Sequence, residues 1–497
     1  MMRSIITEPL LSDVNAAIAN GQPDAQFDVI VVLNELYWKG MEAAEKEIAQ
    51  LSADWKVPYK TTSHYCFARL TAKLILDLAN FTIRQQTEHP NGNLVHRIWE
   101  DSDVKVTLTR SLITIKADAA QRSFRADGHG ITWAVLDSGV NHDHPSFAPK
   151  TTPWGPMDPL KIQSPLQHLD FTPASTDAQN PAPPLLSALT DELGHGSHVA
   201  GTISGFWQAT DPNGDWVVGT EIRDPGNEKS SITQRASATL ISGVAPLCKI
   251  VSLKVVADRR TPGINQLPGQ GKVSWVLSAI DQIQQWNQYG KRLLIHGVNM
   301  SLGYEFDPTW FACGQSPLCV EVNRLVKCGV SVVVSAGNSG YVDKRYSDIS
   351  INDPGNADLA ITVGSTHKEL PHLYGVSYFS SRGPTGDGRM KPDLLAPGER
   401  VISCASGDEA RKYPDAFVDG AGQQQNSKVL FCEMTGTSMA APHVSGAIAA
   451  FLSVRADYVG RPEAVKEVLM QNTIDLKRER HFQGAGLLDL MKVLQAV

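Results

Sequence analysis

The chain has 497 residues, 42% of them hydrophobic and 20% charged, with a formal net charge of −7. That is enough apolar material for a large core and a smaller second domain. A mildly acidic chain with no long Lys/Arg run argues against nucleic-acid binding, and the lack of an apolar run of bilayer-spanning length argues against a membrane protein.

Cysteines stand at 66, 248, 313, 319, 328, 404 and 432, an odd set with no C-x-x-C, which argues against a zinc site or a disulfide framework. Cys313 and Cys319 flank "GQSPL" and are spaced to close a small loop, although a reducing compartment keeps such thiols free. The opening "MMRSIITEPLLSDVNAAIANGQPD" lacks the charged, apolar and cleavage regions of a secretory signal. The expected location is therefore cytoplasmic. Residues 1–24 match no pattern and are expected to stand as an extension.

Along the chain, "FDVIVVLNE" reads as a strand. "MEAAEKEIAQLSADW" reads as an amphipathic helix, with Met41, Ala44, Ile48, Leu51 and Trp55 spaced three and four apart. "HYCFARLT" is a second strand, "AKLILDLANF" a short helix and "LVHRIWEDSDVKVTL" strand-rich. This order over 25–105, with room for one more strand, predicts a small α+β sandwich. "VKVTLTRSLITI" (104–115), rich in β-branched residues, is expected to be extended.

Beyond it, "ITWAVLD", "KIVSLKVV", "LLIHGVNMSLG", "GVSVVVSAGN" and "LAITVGS" are Val/Ile-rich with little alternation, as strands buried on both faces should be. Helical patterns separate them. One is "KVSWVLSAIDQIQQWNQYG", with Val276, Ile280 and Ile283 on one face and Gly290 as a stop. The expectation for 106–497 is an α/β domain with a mostly parallel sheet and helices on both faces. Ligand sites in such folds gather at the carboxyl ends of the strands. The Pro-rich stretch 148–190 and the polar stretch 205–242 read as surface loops.

Chemistry is suggested by "MTGTSMAAPHVSG" (434–446), where Ser438 opens a helix of small residues. A serine there is either a cap or a nucleophile, and a nucleophile needs a base with an orienting partner. "DELGHGSHVAG" places His195 at the start of another small-residue helix, and "ITWAVLDSGVNHDHPSF" places Asp137 at the end of a buried strand. "SAGNSG" supplies Asn338 as an oxyanion donor, with the N–H of Ser438 at a helix N-terminus as a second. Each residue alone has a plain structural explanation. Together, at element ends and in the order Asp, His, Ser, they are specific.

These four segments resemble the signature segments of the subtilisin family of serine peptidases, whose triad runs in that order. "SGVAP", "NMSLG", "FSSRGP", "KPDLLAPG" and "GAGLLDLMKVL" extend the resemblance over about 111–497. It implies a subtilisin-like fold and a serine endopeptidase with Asp137, His195 and Ser438 catalytic and Asn338 in the oxyanion hole. It also implies protein or peptide substrates laid as an added strand between Gly269–Gly271 and Ser301, Leu302 and Gly303. Ser335, Ala336 and Gly337 would wall the P1 pocket and Asn352 its floor, beside a cis bond at Pro354. His198 and His443 are expected to be structural.

Residues 25–105 resemble the family's propeptide, an inhibitor and folding chaperone. A cut by Ser438 itself is expected within 104–112, the alternative being a permanent accessory domain. Ser146 in "HDHPSF", and the 205–242 stretch, depart from relatives with a strong calcium site, so no cofactor and no required metal are expected. A silent peptide-binding module using the same cleft is the competing reading for the whole chain. Nucleotide binding is disfavoured because "GQGK" and "GAGQQ" complete no phosphate motif. The related carboxyl peptidases are disfavoured by His195.

Overall fold

The computed structural model describes all residues except 1–4, 7, 62–64, 90–91, 101–109, 173–186, 212–213, 225–226, 258–268, 310, 419–423 and 497. The chain divides into two units, 1–105 and 106–497.

The first unit contains α1 (Glu8–Ala19), β1 (Gln26–Leu33), α2 (Met41–Trp55), β2 (Tyr59–Thr61), β3 (Tyr65–Thr71), α3 (Ala72–Glu88) and β4 (Val95–Glu100). Its sheet runs β2-β3-β1-β4 and is antiparallel throughout. The extra strand is β2, a segment of three residues. Helix α2 turns its predicted face inward, with Ala44 and Ile48 buried. The expectation that 1–24 stands apart is corrected. Leu10, Leu11, Val14 and Ala17 form the apolar stripe of α1 and join the unit's core, and Ile6 bridges to Ile98.

In the second unit, residues 110–115 are not extended as expected. Arg110–Thr114 is a short helix (α4), with Ser111 and Leu112 buried and Arg110 paired to Glu369 at 2.6 Å. Burial of Leu112 in the core outweighs the β-propensity of the segment. Residues 104–109 lie outside the described residues. Next come α5 (Ala117–Phe124), β5 (Thr132–Asp137), β6 (Leu169–Asp170), α6 (His195–Ser204), β7 (Asp215–Asp224) and β8 (Asn227–Ala238). They are followed by β9 (Lys249–Lys254), α7 (Val273–Trp286), β10 (Gly297–Met300), α8 (Pro317–Lys327), β11 (Ser331–Ser335) and β12 (Ile361–His367). β13 (Leu394–Glu399), β14 (Val401–Cys404), β15 (Phe431–Met434) and α9 (Thr437–Val454) lead toward the C-terminus.

The main sheet has seven strands in the order β13-β12-β11-β10-β5-β9-β6, all parallel. Alternate residues of β5 enter different cores. Trp133 and Val135 pack with α6 and α9, whereas Ala134 and Leu136 pack with α7 and α8. Both faces are dry, which explains why the strands read as unbroken apolar runs. Fully burying one such Val or Leu contributes about 1.5–3 kcal/mol.

The 205–242 stretch is not a loop. β7 and β8 form a long antiparallel hairpin that joins β15 and β14 in a second sheet, ordered β8-β7-β15-β14. β8 carries few apolar residues, whereas Val217 and Val218 of β7 are buried. Within 148–190, a small hairpin spans 150–157 and β6 adds to the main sheet's edge. Helix α9 is long and apolar enough to cross a membrane, contrary to the expectation that no stretch is, yet 83% of it is buried inside the fold.

Candidate active site

Parallel register brings the carboxyl ends of β5, β9, β10 and β11 to one edge of the sheet, since Asp137 pairs with Lys254 and Met300 with Leu136. Asp137 closes β5 and is 2% exposed. One of its oxygens, Oδ1, accepts from the Ser138 N–H and from His195 Nδ1, each at 2.8 Å. The acceptor fixes the proton on Nδ1 and leaves Nε2 as the ring's free acceptor. His195 opens α6, directly after Gly194, which takes a left-handed φ of 92°. A side chain at Gly194 would also strike the Ser406 carbonyl, 2.3 Å from an ideal Cβ.

A second carboxylate that the sequence reading did not single out holds this corner. Asp191 is 5% exposed. Its oxygens accept from the Ser138 hydroxyl (2.9 Å), the Gly194 N–H (2.8 Å) and the Ser197 N–H (2.7 Å). The Ser138 hydroxyl in turn accepts from the Gly196 N–H at 2.9 Å. One buried acid thus ties the turn after Asp137 to the first turn of the His195 helix. The only sequence signal was its place four residues before His195, in "DELGHG".

Ser438 is the second residue of α9. Gly436 occupies the cap position and makes no side-chain cap bond, so the serine is not a cap. Its hydroxyl donates to the Ser301 carbonyl at 3.1 Å, and the Ser301 hydroxyl donates back to the Ser438 carbonyl at 2.7 Å. Asn338 follows β11. Its Oδ1 accepts from the Thr437 N–H at 2.9 Å and the Thr437 hydroxyl at 3.0 Å. Because Thr437 N–H can only donate, the oxygen must face it, and the amide NH2 is left unspent. Thr437 is a second supporting residue that the sequence reading missed.

A cavity of about 540 Å³ unites Asp137, His195, Gly269, Gly271, Ser301, Leu302 and Gly303, with Asp408 and Glu409 on its wall. Ser438, Asn338, Ser335, Ala336, Gly337 and Asn352 lie outside its lining. They form an adjoining group: Asn352 N–H donates to the Ala336 carbonyl at 3.0 Å, and its side chain backs onto Gly337. The Asp353–Pro354 bond is cis. Leu302 and Gly303 make no backbone hydrogen bond among the described residues. Gly271 forms a lone bridge with Val256.

Burial pulls the His195 pKa down, but the charge and hydrogen bond of Asp137, with Asp191 and Glu409 beyond, outweigh it and hold the pKa above the ordinary value. Burial raises Asp191 against its own hydrogen bonds. His198 and His443 are fully buried on α6 and α9. Burial lowers them to about 3 and about 4, so both stay neutral. Each bonds a backbone carbonyl, that of Val401 for His198 and of Met439 for His443.

The Subtilase family (Peptidase_S8) matches residues 128–486, most of the chain. The chain belongs to the subtilase family. It is a subtilisin-like serine endopeptidase, a hydrolase of peptide bonds. Among its relatives, "Serine protease AprX" of Bacillus subtilis (strain 168) is 25% identical over 402 residues, covering 79% of this chain and 72% of that protein. "Major intracellular serine protease" of the same organism is 28% identical over 366 residues, covering 73% and 82%. A crystal structure of MycP1 with the N-terminal propeptide removed is 20% identical, covers 78% of this subtilase and 96% of that chain, and has a TM-score of 0.47.

The electrostatics of this subtilase's cleft give a titration to measure. With its pKa raised, His195 stays protonated to a higher pH than an ordinary histidine, whose value is about 6.5. In an NMR titration its ring is expected to change charge above that value. Asp191→Asn should lower the midpoint, and Asp137→Asn should lower it further. A midpoint below the ordinary value, or one unmoved by Asp191→Asn, contradicts this electrostatic picture.

Proposed function

We propose that this subtilase cuts peptide bonds with Ser438 as nucleophile, His195 as base and Asp137 as the group that orients the base. The observation that carries the reading is the 2.8 Å bond from His195 Nδ1 to the buried Asp137. It leaves Nε2 basic on a ring that lines the cleft. For attack, the Ser438 hydroxyl turns from the Ser301 carbonyl to Nε2 and gives up its proton as it adds to the substrate carbonyl. The Asn338 NH2 and the Ser438 N–H meet the oxyanion in a partly dry site, where such donors act most strongly. His195 then protonates the leaving amine, and water releases the acyl group from Ser438.

Substrate lies as an extended strand against Leu302–Gly303, whose backbone groups are unspent, and against Gly269–Gly271 opposite. Ser335, Ala336, Gly337 and Asn352 form the P1 pocket. Residues 25–105 serve as a propeptide-type inhibitor, supported by the four-stranded antiparallel sheet with helices between its strands. Ser438 cuts its own chain within 104–112, and the burial of Ser111 and Leu112 within α4 supports a bond before Arg110. Calcium is not required. Two relatives are named as intracellular serine proteases, which supports a cytoplasmic location.

Ser438→Ala should abolish peptidase activity and still fold, with a cooperative thermal melt. Intact-mass measurement of the parent should show loss of the N-terminal unit, and Ser438→Ala should stay full length. A turning-over Ser438→Ala enzyme contradicts the nucleophile; a full-length parent that digests protein rapidly contradicts the propeptide.

Asn338→Ala should lower kcat far more than it changes KM, because the donor acts on the transition state. The expected drop of about 10²–10³-fold is the size known for loss of this kind of donor in subtilisin itself. A change mainly in KM contradicts the oxyanion role.

The melting temperature should be the same with and without EDTA. A large downward shift on chelation would show a calcium site that this reading leaves out.

A further inference from the structure

The second unit holds another large cavity, of about 370 Å³, lined by residues 129–132, 152, 154–157, 162–164, 166, 247, 249, 292–294 and 296. Thr132, Lys249 and Gly297 begin β5, β9 and β10. The cavity therefore lies at the amino ends of the strands, whereas Asp137 and Ser301 sit at their carboxyl ends. It is not part of the peptidase cleft.

Its lining combines two features. First, it is basic: Lys249 and Arg292 contribute positive charge, His129 and His296 contribute imidazole rings, and no Asp or Glu lines it. On a chain of net charge −7, a lining without one acid is a local reversal of sign. The Arg292 side chain makes no hydrogen bond or ion pair among the described residues. His296 is held as a directed donor. Its Nδ1 accepts from the Thr132 N–H at 3.1 Å, so the neutral ring carries its proton on Nε2. Second, the cavity has a flat apolar wall. Trp154 is 53% exposed, a high exposure for so large a ring. It stacks on His129 with centroids 4.7 Å apart and planes within 16°.

We propose that this cavity is a second binding site, which takes a small planar anion: an aromatic or heteroaromatic ring bearing a phosphate or a carboxylate. The ring stacks on the Trp154–His129 wall. The anion meets the unpaired Arg292 fork and the His296 Nε2–H, with Lys249 adding charge. A planar bidentate donor suits both phosphate and carboxylate. Neither feature suffices alone, because exposed ion pairs and single stacks are each weak. Tight binding needs both parts in one molecule.

Isothermal titration calorimetry on the full chain tests this with two probe anions, adenosine 5′-monophosphate and salicylate. Adenosine, benzyl alcohol and inorganic phosphate serve as controls that carry only one of the two parts. At least one probe anion is expected to bind at one per chain, at least ten-fold tighter than any control. Binding by the monophosphate alone assigns a phosphate ligand, and by salicylate alone a carboxylate. Arg292→Ala and Trp154→Ala should each weaken it at least ten-fold while peptidase activity stays unchanged. Two silent probe anions, controls that bind equally well, or binding that survives both substitutions would overturn the proposal.

Discussion

The close seating of helix α9 on the sheet is the constraint on which the rest of the peptidase unit depends. The helix runs through the centre of the unit, packed against α6 and the strands β5 and β10 to β13. It can do so only because its inner residues are small. Ala440, Ala441, Ala447, Ala449 and Ala450 are buried, and a Cβ on Gly446 would lie 2.6 Å from that of Val244. Polar contacts then set its depth along the axis. Ser445 donates to Asn299 at 2.8 Å, Asn299 donates to Ser301 at 2.9 Å, and Ser301 exchanges bonds with Ser438. The helix N-terminus is thereby fixed at the sheet's carboxyl edge, beside the end of β5. The same packing explains why a helix of membrane-like composition is a core helix here.

Helix α6 meets this arrangement from the same face of the sheet, and its opening residue is held by charge as well as shape. Asp137 and Asp191 are both buried beside His195, but they do different work. Asp137 bonds the imidazole directly. Asp191 spends its oxygens on Ser138, Gly194 and Ser197 and reaches the ring only through its field. A buried carboxylate without such donors would be costly, so the N–H groups of the α6 terminus are part of what allows a second acid there. His198 and His443 mark the dry interior behind, each neutral and spent on a carbonyl.

Much of this was legible in the sequence, for identifiable reasons. Strands buried on both faces write themselves as Val/Ile runs, and Asp137, His195, Asn338 and Ser438 sit at element ends where turn-forming neighbours expose them. Other features were not legible. The 110–115 segment has β-branched residues but folds as a helix, because Leu112 gains more from the core than from its propensity. The β7–β8 hairpin looked like a loop, since a half-exposed ladder carries too few apolar residues to stand out. Asp191 and Thr437 act through backbone contacts that only the fold brings together, so spacing could not assign them.

Covalent labelling tests the central claim, that the seating of α9 makes Ser438 a serine activated by His195. The chain would be treated with a fluorophosphonate and the adduct mapped by peptide mass spectrometry, in the parent and in His195→Ala. The account predicts one adduct, on Ser438, formed rapidly in the parent and at most in trace in His195→Ala. An adduct on another serine, or equal labelling rates in the two proteins, would contradict it.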